Sequence, residues 1–403
     1  MNRSSNNYMR FALLSHVLPP SPSGQAVMLY RILYGVSQNN YYLISSQDTS
    51  HQEKLVDGDK HNSLSGRCYP LASEPTIACP NYFGITRICN FINLLLHIFF
   101  RTKNILKILH SEPNTSAIIA CTGVLVDMPA AFLASRVAHI PFFAYIFDDY
   151  VFQWTGKTRL FAKMVAPLIF KGSTGIIGPN EFICEEYKQR YHVKSTLVRN
   201  PYANVIKESY HKWPAERDNI KIVYTGAIYH ANYDCFLNLI RAMELLNEYH
   251  LQLHIYTAQA REQLERQLIK GQQVFIHSHV AYNDILKKQY KADILFLPLA
   301  FESSITEVIR TSAPGKMGEY MASGRPILAH VPSDSFVAYY FNKYQCGLIV
   351  DQNAPHKLAA GIKRMIVDNN LRGKIIENSR RQVQLDFGPE LARSSLIALL
   401  QQY

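Results

Sequence analysis

Short apolar runs alternate along the chain with longer stretches in which apolar positions recur at helical spacing. The short runs fit strands buried on both faces, and the longer ones fit helices that bury one stripe. Residues 10–15 (RFALLS) read as a strand, 25–36 as a helix and 41–45 as a second strand. Residues 47–80 are polar, with Gly, Pro and His, and read as a long irregular insertion. Residues 84–110 carry a helical period. Strand-like 117–120, helical 128–137, strand-like 142–147, helical 160–170 and strand-like 174–177 follow, and another helix precedes the strand at 196–198.

Residues 201–219 break the rhythm with Pro201, Trp213, Pro214 and the charged run Glu216-Arg217-Asp218, and read as a linker. The alternation then restarts, with strands at 220–224, 251–256, 274–276, 294–297, 327–329 and 347–350, helices at 233–247 and 259–269, and a helical C-terminal stretch. Two consecutive α/β units of similar size are expected, each a Rossmann-like parallel sheet covered by helices. The expected boundaries are 1–205 and 206–385, with 386–403 a terminal helix that packs back on the first unit. Ligands of such sheets sit beyond the C-terminal ends of the strands, and the cleft between two such units is the default site.

Composition narrows the class. Hydrophobic residues make up 48% and charged residues 18%, with 25 Tyr and 20 Phe, which excludes a disordered chain. The net charge of +11 favours anionic partners: nucleic acid, acidic headgroups or phosphorylated small molecules. No nucleic-acid recognition motif accompanies it. Seven scattered cysteines without CxxC spacing suggest neither a disulfide framework nor a structural metal. The polar N-terminus lacks a secretory signal, and no apolar run approaches the ~20 residues that span a bilayer. A cytoplasmic, reduced protein is expected, with peripheral contact at the inner membrane face compatible with the basic helix described below.

The chemical signal lies in residues 293–332. This stretch reads as a strand ending at Pro298, a polar loop, a helix starting near Pro314 and ending at Gly324, and another strand. The amides of Gly315, Lys316 and Met317 would then be unpaired donors, and with the Lys316 ammonium they form a ready anion site. Glu319, one turn on, could accept hydrogen bonds from ribose hydroxyls. An ordinary βαβ unit with an idle loop explains the same pattern equally well.

The segment PGKMGEYMASGRPIL (314–328) resembles the donor-binding segment of retaining GT-B glycosyltransferases, in a P-x-K-x-x-E-Y-x-A-x-G-x-P variant of the large family four. YKADILFLP (290–298), IVYTGAI (222–228), VRNP (198–201) and the Ser23-Gly24 turn are similar to further parts of that family, so the resemblance spans nearly the whole chain. It implies a GT-B fold, a nucleoside-diphosphate-sugar donor, no required metal or other cofactor, and a glycan, lipid-linked or small-molecule acceptor. On this resemblance Gly24, Gly226, Tyr229, His230, Val280, Pro314, Gly315, Lys316, Met317 and Glu319 bind the donor. Arg310 and Lys316 are the catalytic residues that stabilise the leaving phosphate, Asp148 and Asp149 are catalytic candidates for acceptor binding or proton handling, and Asp148 and His16 lie on the acceptor side.

The sequence also departs from the family. Its paired glutamates lie eight positions apart, but Thr311 stands eight before Glu319, so Glu302 or Glu307 would have to substitute. The family's Arg and Lys after the opening strand of the second unit are missing from Gly226–Asn232, which leaves Arg310, Lys316 or His230 to supply charge. The family's His-Asp is replaced by Phe147-Asp148-Asp149.

Other readings compete. Asp148-Asp149 fits acceptor binding, a metal pair or a helix cap. Gly172–Gly178 lacks the Lys-Ser/Thr of a phosphate loop and reads as a turn before a buried strand. His277 and His279 lack a third ligand nearby. His16 either faces an acceptor or merely ends the first strand. Residues 86–110 form a basic amphipathic helix that can lie on an anionic membrane or pack as an ordinary core helix. Two alternatives to a transferase stand beside it: a non-hydrolysing sugar-nucleotide epimerase, and an inactive GT-B-like binding subunit.

Overall fold

The computed structural model describes residues 9–21, 23–47, 64–80, 82, 84–202, 213, 219–278, 280 and 282–403. The expectations for 48–63, most of the linker and His279 fall outside the described residues. The chain divides into two units, Met1–Arg199 with Glu390–Tyr403, and Asn200–Pro389.

The first unit runs β1 (Arg10–Leu14), α1 (Gly24–Leu33), β2 (Tyr41–Ser45), β3 (Arg67–Pro70), α2 (Ile85–Ser111), β4 (Thr115–Cys121), α3 (Asp127–Ala138), β5 (Phe142–Tyr145), α4 (Gly156–Gly172), β6 (Gly175–Gly178), α5 (Glu181–Tyr191) and β7 (Ser195–Leu197). Its seven strands are ordered β3-β2-β1-β4-β5-β6-β7, and every recorded pairing is parallel. Continuous apolar strands follow from burial on both faces. On one face Leu14, Ile118, Ala144 and Ile176 pack with α2–α5, and on the other Phe11, Leu13 and Ile119 pack with Leu29 and Ile32 of α1. Leu396, Leu399 and Leu400 of the last helix join this second cluster, and Arg393 bonds the carbonyls of Ile32 and Tyr34.

The second unit runs β8 (Ile220–Thr225), α6 (Tyr233–Glu244), β9 (Leu251–Tyr256), α7 (Arg261–Arg266), β10 (Val274–His277), α8 (Tyr282–Tyr290), β11 (Ile294–Pro298), α9 (Thr306–Thr311), α10 (Gly315–Ala322), β12 (Ile327–His330), α11 (Phe336–Tyr344), β13 (Leu348–Val350), α12 (Pro355–Val367) and α13 (Asn369–Asp386); α14 (Pro389–Leu400) ends the chain. Its sheet is parallel, in the order β10-β9-β8-β11-β12-β13. In each sheet the order reverses beside the opening strand, between β1 and β4 and between β8 and β11. Such a switch point leaves a crevice beyond the strand ends where ligands bind.

The structure adds elements that the periodicity does not show. β3 lies in the stretch read as irregular, and α9 lies in the loop before Pro314. Both are short, four and six residues. One correction concerns the cysteines: Cys79 and Cys89 are joined in a disulfide. The segment after β3 runs along α2, where Asn93 bonds the backbone of Ile77 through both amide atoms and Arg101 pairs with Glu74. That path brings together two cysteines whose spacing in sequence carries no signature.

Candidate active site

In the second unit the site gathers at the C-terminal end of β8. Gly226 follows the strand with φ +126°, and its amide donates to the carbonyl of Tyr256 at 2.8 Å. The loop 227–232 is tied down from below. Tyr224 Oη donates to the Ala227 carbonyl at 2.6 Å, Asn232 Oδ1 accepts from the Tyr229 amide at 3.0 Å, and the Gln259 side chain bonds both backbone groups of Ile228. Tyr229 and His230 stand exposed at its tip, with ring centroids 5.3 Å apart. Val280 lies half-buried beyond β10.

Helix α10 points its N-terminus into this neighbourhood. Pro314 occupies the cap position, no side chain caps the helix, and its first turn holds no acid. One expectation is corrected here: the Met317 amide donates to the Pro314 carbonyl at 2.9 Å, a tight first-turn bond, so it is not a spare donor. Gly315 and Lys316 keep the first two amide positions. Lys316 is half-buried, with Nζ 5.0 Å from the Tyr224 ring centroid, close enough for a cation–π contact. A Cβ added at Gly226 would lie 2.7 Å from Lys316 Cε and 2.9 Å from Nζ.

A buried polar network fixes the helix against the strand. Tyr320 Oη accepts from the Thr225 amide at 3.0 Å. Gln289, at the end of α8 and fully buried, donates to Thr225 Oγ1 at 3.0 Å and to the Glu319 carboxylate at 3.1 Å. Glu319 is thereby aimed by a neighbour the sequence reading did not single out. Tyr320 sits within the quoted segment, whereas Gln289 lies 30 residues away and announces nothing. Arg310 lies in the last turn of α9. Glu302 is exposed and accepts from Asn353, and Glu307 accepts from its neighbour Thr306.

In the first unit the expected acceptor-side residues follow β1 (His16) and β5 (Asp148, Asp149), the two strands that flank β4 in the sheet. His16 follows β1 and packs so closely on Gly123 that a Cβ there would lie 2.4 Å from Nδ1. Burial lowers the His16 pKa, which favours the neutral ring, and its Nδ1 is buried without a hydrogen-bond partner. Thr122 Oγ1 accepts from the amides of Phe147 and Asp148 at 2.9 and 3.3 Å. The two aspartates then part ways. Asp148 is exposed. Asp149 is buried, accepts from the amides of Val151 and Phe152 at 2.9 Å each, and pairs with Arg190. Its carboxylate is thus engaged in holding the turn after β5. Gly24 opens α1 behind the capping Ser23, and an added Cβ there would meet nothing within 4 Å. Among the described residues no group of three His, Cys, Asp or Glu is placed to hold a metal ion.

Residues 219–368 match the family described as glycosyl transferases group 1. Among solved structures, sucrose-phosphate synthase from Thermosynechococcus elongatus superimposes with a TM-score of 0.71 at 15% identity, covering 98% of each chain. The Anabaena protein HepE, solved with UDP-glucose, gives 0.70 at 14% identity, covering 98% of this chain and all of that one. A putative UDP-N-acetylglucosamine 2-epimerase from Listeria monocytogenes gives 0.59 at 10% identity over 98% and 96% of the two chains. No curated protein matches. The fold expected from the sequence, two Rossmann-like parallel-sheet units of the GT-B type, is the fold of these proteins.

Proposed function

We propose that the protein is a glycosyltransferase that moves a sugar from a nucleoside-diphosphate sugar to an acceptor in polysaccharide or glycoconjugate synthesis. The carrying observation is the second-unit cluster, in which the α10 N-terminus, Lys316 and Glu319 converge beside Gly226 at the end of β8. Breaking the anomeric C–O bond leaves its electron pair on the β-phosphate, and stabilising that charge is the main demand on the site. Gly315, Lys316 and Arg310 meet that demand in this reading, helped by His230. Glu319, held by Gln289, takes the ribose hydroxyls, while Tyr229 and Val280 lie towards the nucleoside. Uridine is the favoured base, because HepE was solved with UDP-glucose.

On the acceptor side Asp148 is the free carboxylate and His16 the neutral imidazole, and Asp149 positions the turn that carries Asp148. A retaining outcome follows from the family-four resemblance. There the leaving phosphate takes the proton of the acceptor hydroxyl, so charge balances without a separate base. The acceptor is a glycan, a lipid-linked sugar or a small molecule.

Isothermal titration with UDP, GDP, ADP and CMP tests the site, followed by product analysis with the matching sugar nucleotides. Binding of a nucleoside diphosphate that is weakened in both Lys316→Ala and Glu319→Ala supports the reading. No binding at millimolar concentration overturns it and leaves the inactive-subunit alternative. Sugar isomerisation without an acceptor would identify an epimerase instead.

A further inference from the structure

We propose that the outer face of α2, α3 and α4 docks on the surface of an anionic phospholipid bilayer. The inference stands apart from the transferase reading, since it rests on the first unit's helices and needs neither donor nor acceptor.

Helix α2 buries one side against the sheet and leaves a second apolar stripe uncovered. Ile88, Phe91, Ile92, Leu95 and Phe99 recur at helical spacing, and all are exposed, Phe99 by 62%. Helix α4 repeats the feature, with Leu160, Met164 and Leu168 exposed and interleaved with exposed Lys157, Lys163 and Lys171. The two helices are neighbours, with Phe91 and Phe161 ring centroids 6.3 Å apart and Ile98, Val126 and Phe161 in one small cluster. Helices packed in one layer over a sheet turn their outer stripes to the same side, so the apolar residues form one field. A soluble chain rarely leaves so many large apolar side chains together in water.

Charge decides what covers the field. Neither α2 nor α4 contains an acidic residue, and the one on α3, Asp127, is buried against Arg101. Arg87, Lys103 and Lys107 on α2 and Arg136 on α3 add exposed cations to the three lysines of α4. A second copy of the chain docking symmetrically would face cation with cation. Nucleic acid would satisfy the cations and leave the apolar stripe wet. An anionic bilayer satisfies both, taking apolar side chains at the acyl boundary and cations at the headgroups. The helices lie on such a surface and do not cross it, since no helix among the described residues is long and apolar enough to span.

Cosedimentation of the full chain with vesicles tests this. Phosphatidylcholine vesicles carrying phosphatidylglycerol should bind at least about tenfold more tightly than phosphatidylcholine alone, with the difference shrinking as salt rises. The K157E/K163E/K171E variant should lose about that factor, and I88S/F99S should bind more weakly at every salt concentration. All five positions are exposed, so thermal unfolding should be unchanged. If either variant melts early, Lys163→Glu alone gives the charge readout. Equal binding to neutral and anionic vesicles, no binding to either, or wild-type binding by the variants overturns the proposal. So does a dimer, seen by sedimentation velocity, that I88S/F99S dissociates.

Discussion

Gly226 and Lys316 are in contact across the end of β8, with the glycine's missing Cβ leaving the space that the lysine's terminal carbon and ammonium fill. Two constraints coincide at this glycine. Its φ of +126° is a conformation L side chains rarely adopt, with strain of about 1–3 kcal/mol for a non-glycine residue. Any side chain would also push the Lys316 ammonium away from the Tyr224 ring. Gly226→Ala should therefore lower the unfolding temperature and weaken nucleoside-diphosphate binding together. Calorimetry beside thermal unfolding checks this, and unchanged affinity would separate Lys316 from the donor site.

Gln289 allows a test that distinguishes holding Glu319 from merely packing near it. Gln289→Glu would set two carboxylates at the present 3.1 Å contact, which should lower stability by about 1–3 kcal/mol and weaken nucleotide binding. Adding Glu319→Gln restores a donor–acceptor pair with the polarity reversed. The double variant should regain most of the stability and none of the nucleotide affinity, because the carboxylate has moved into the buried position. Recovery of affinity would show that Glu319 does not meet the nucleotide.

The legible parts of the molecule are those where one period runs long. β2, β11 and β12 are near-continuous apolar runs buried along their whole length, with the apolar parts of β1 and β4 like them, because both faces of a parallel sheet are covered. β9 instead alternates apolar Leu251, Leu253 and Ile255 with half-buried Gln252, His254 and Tyr256, and that period of two marks it as a strand as well. The Pro314 start and Gly324 end of α10 were readable for a different reason: each residue type suits one backbone conformation there. β3 and α9 are too short to show a period. Gln289 could not be found because its importance lies in a contact 30 residues distant, made by a polar side chain on an otherwise ordinary amphipathic helix. Asp148 and Asp149 show the limit most directly. The two are adjacent and chemically identical, and only the fold turns one to solvent and the other onto Arg190.

Arg101 is buried with Glu74 on one side and Asp127 on the other, joining the segment after β3 to α2 and to the start of α3. Burial raises the Asp127 pKa to about 6 against the opposing pull of Arg101, and its Oδ2 has no hydrogen-bond partner. Removing the arginine would leave an uncompensated acid in the core. Arg101→Met should destabilise the first unit by about 3–5 kcal/mol. Adding Asp127→Asn should recover part of that loss, since a neutral amide is cheaper to bury. Urea unfolding of the two single variants and the double variant measures the coupling, and strictly additive losses would deny the pair its role.

Acid sensitivity should centre on the histidine pair of β9 and β10. His254 and His277 stack with ring centroids 5.2 Å apart, and His254 Nδ1 lies 3.0 Å from His277 Nε2. Burial, with His277, Lys221 and Lys288 nearby, lowers the His254 pKa to about 4 from its ordinary 6.5. Between those values the unfolded chain binds a proton that the folded one refuses. Stability therefore falls as pH drops through this window and levels off below it, where both states are protonated. The contribution is fully present above pH 6.5. His254→Phe keeps the stack on Phe275, 4.9 Å away, and removes the titrating group. Its unfolding temperature should drop less than the wild type's between pH 7.5 and pH 4.5, even if it starts lower from losing the His277 and Gln252 contacts. An equal drop in both proteins would place the acid sensitivity elsewhere.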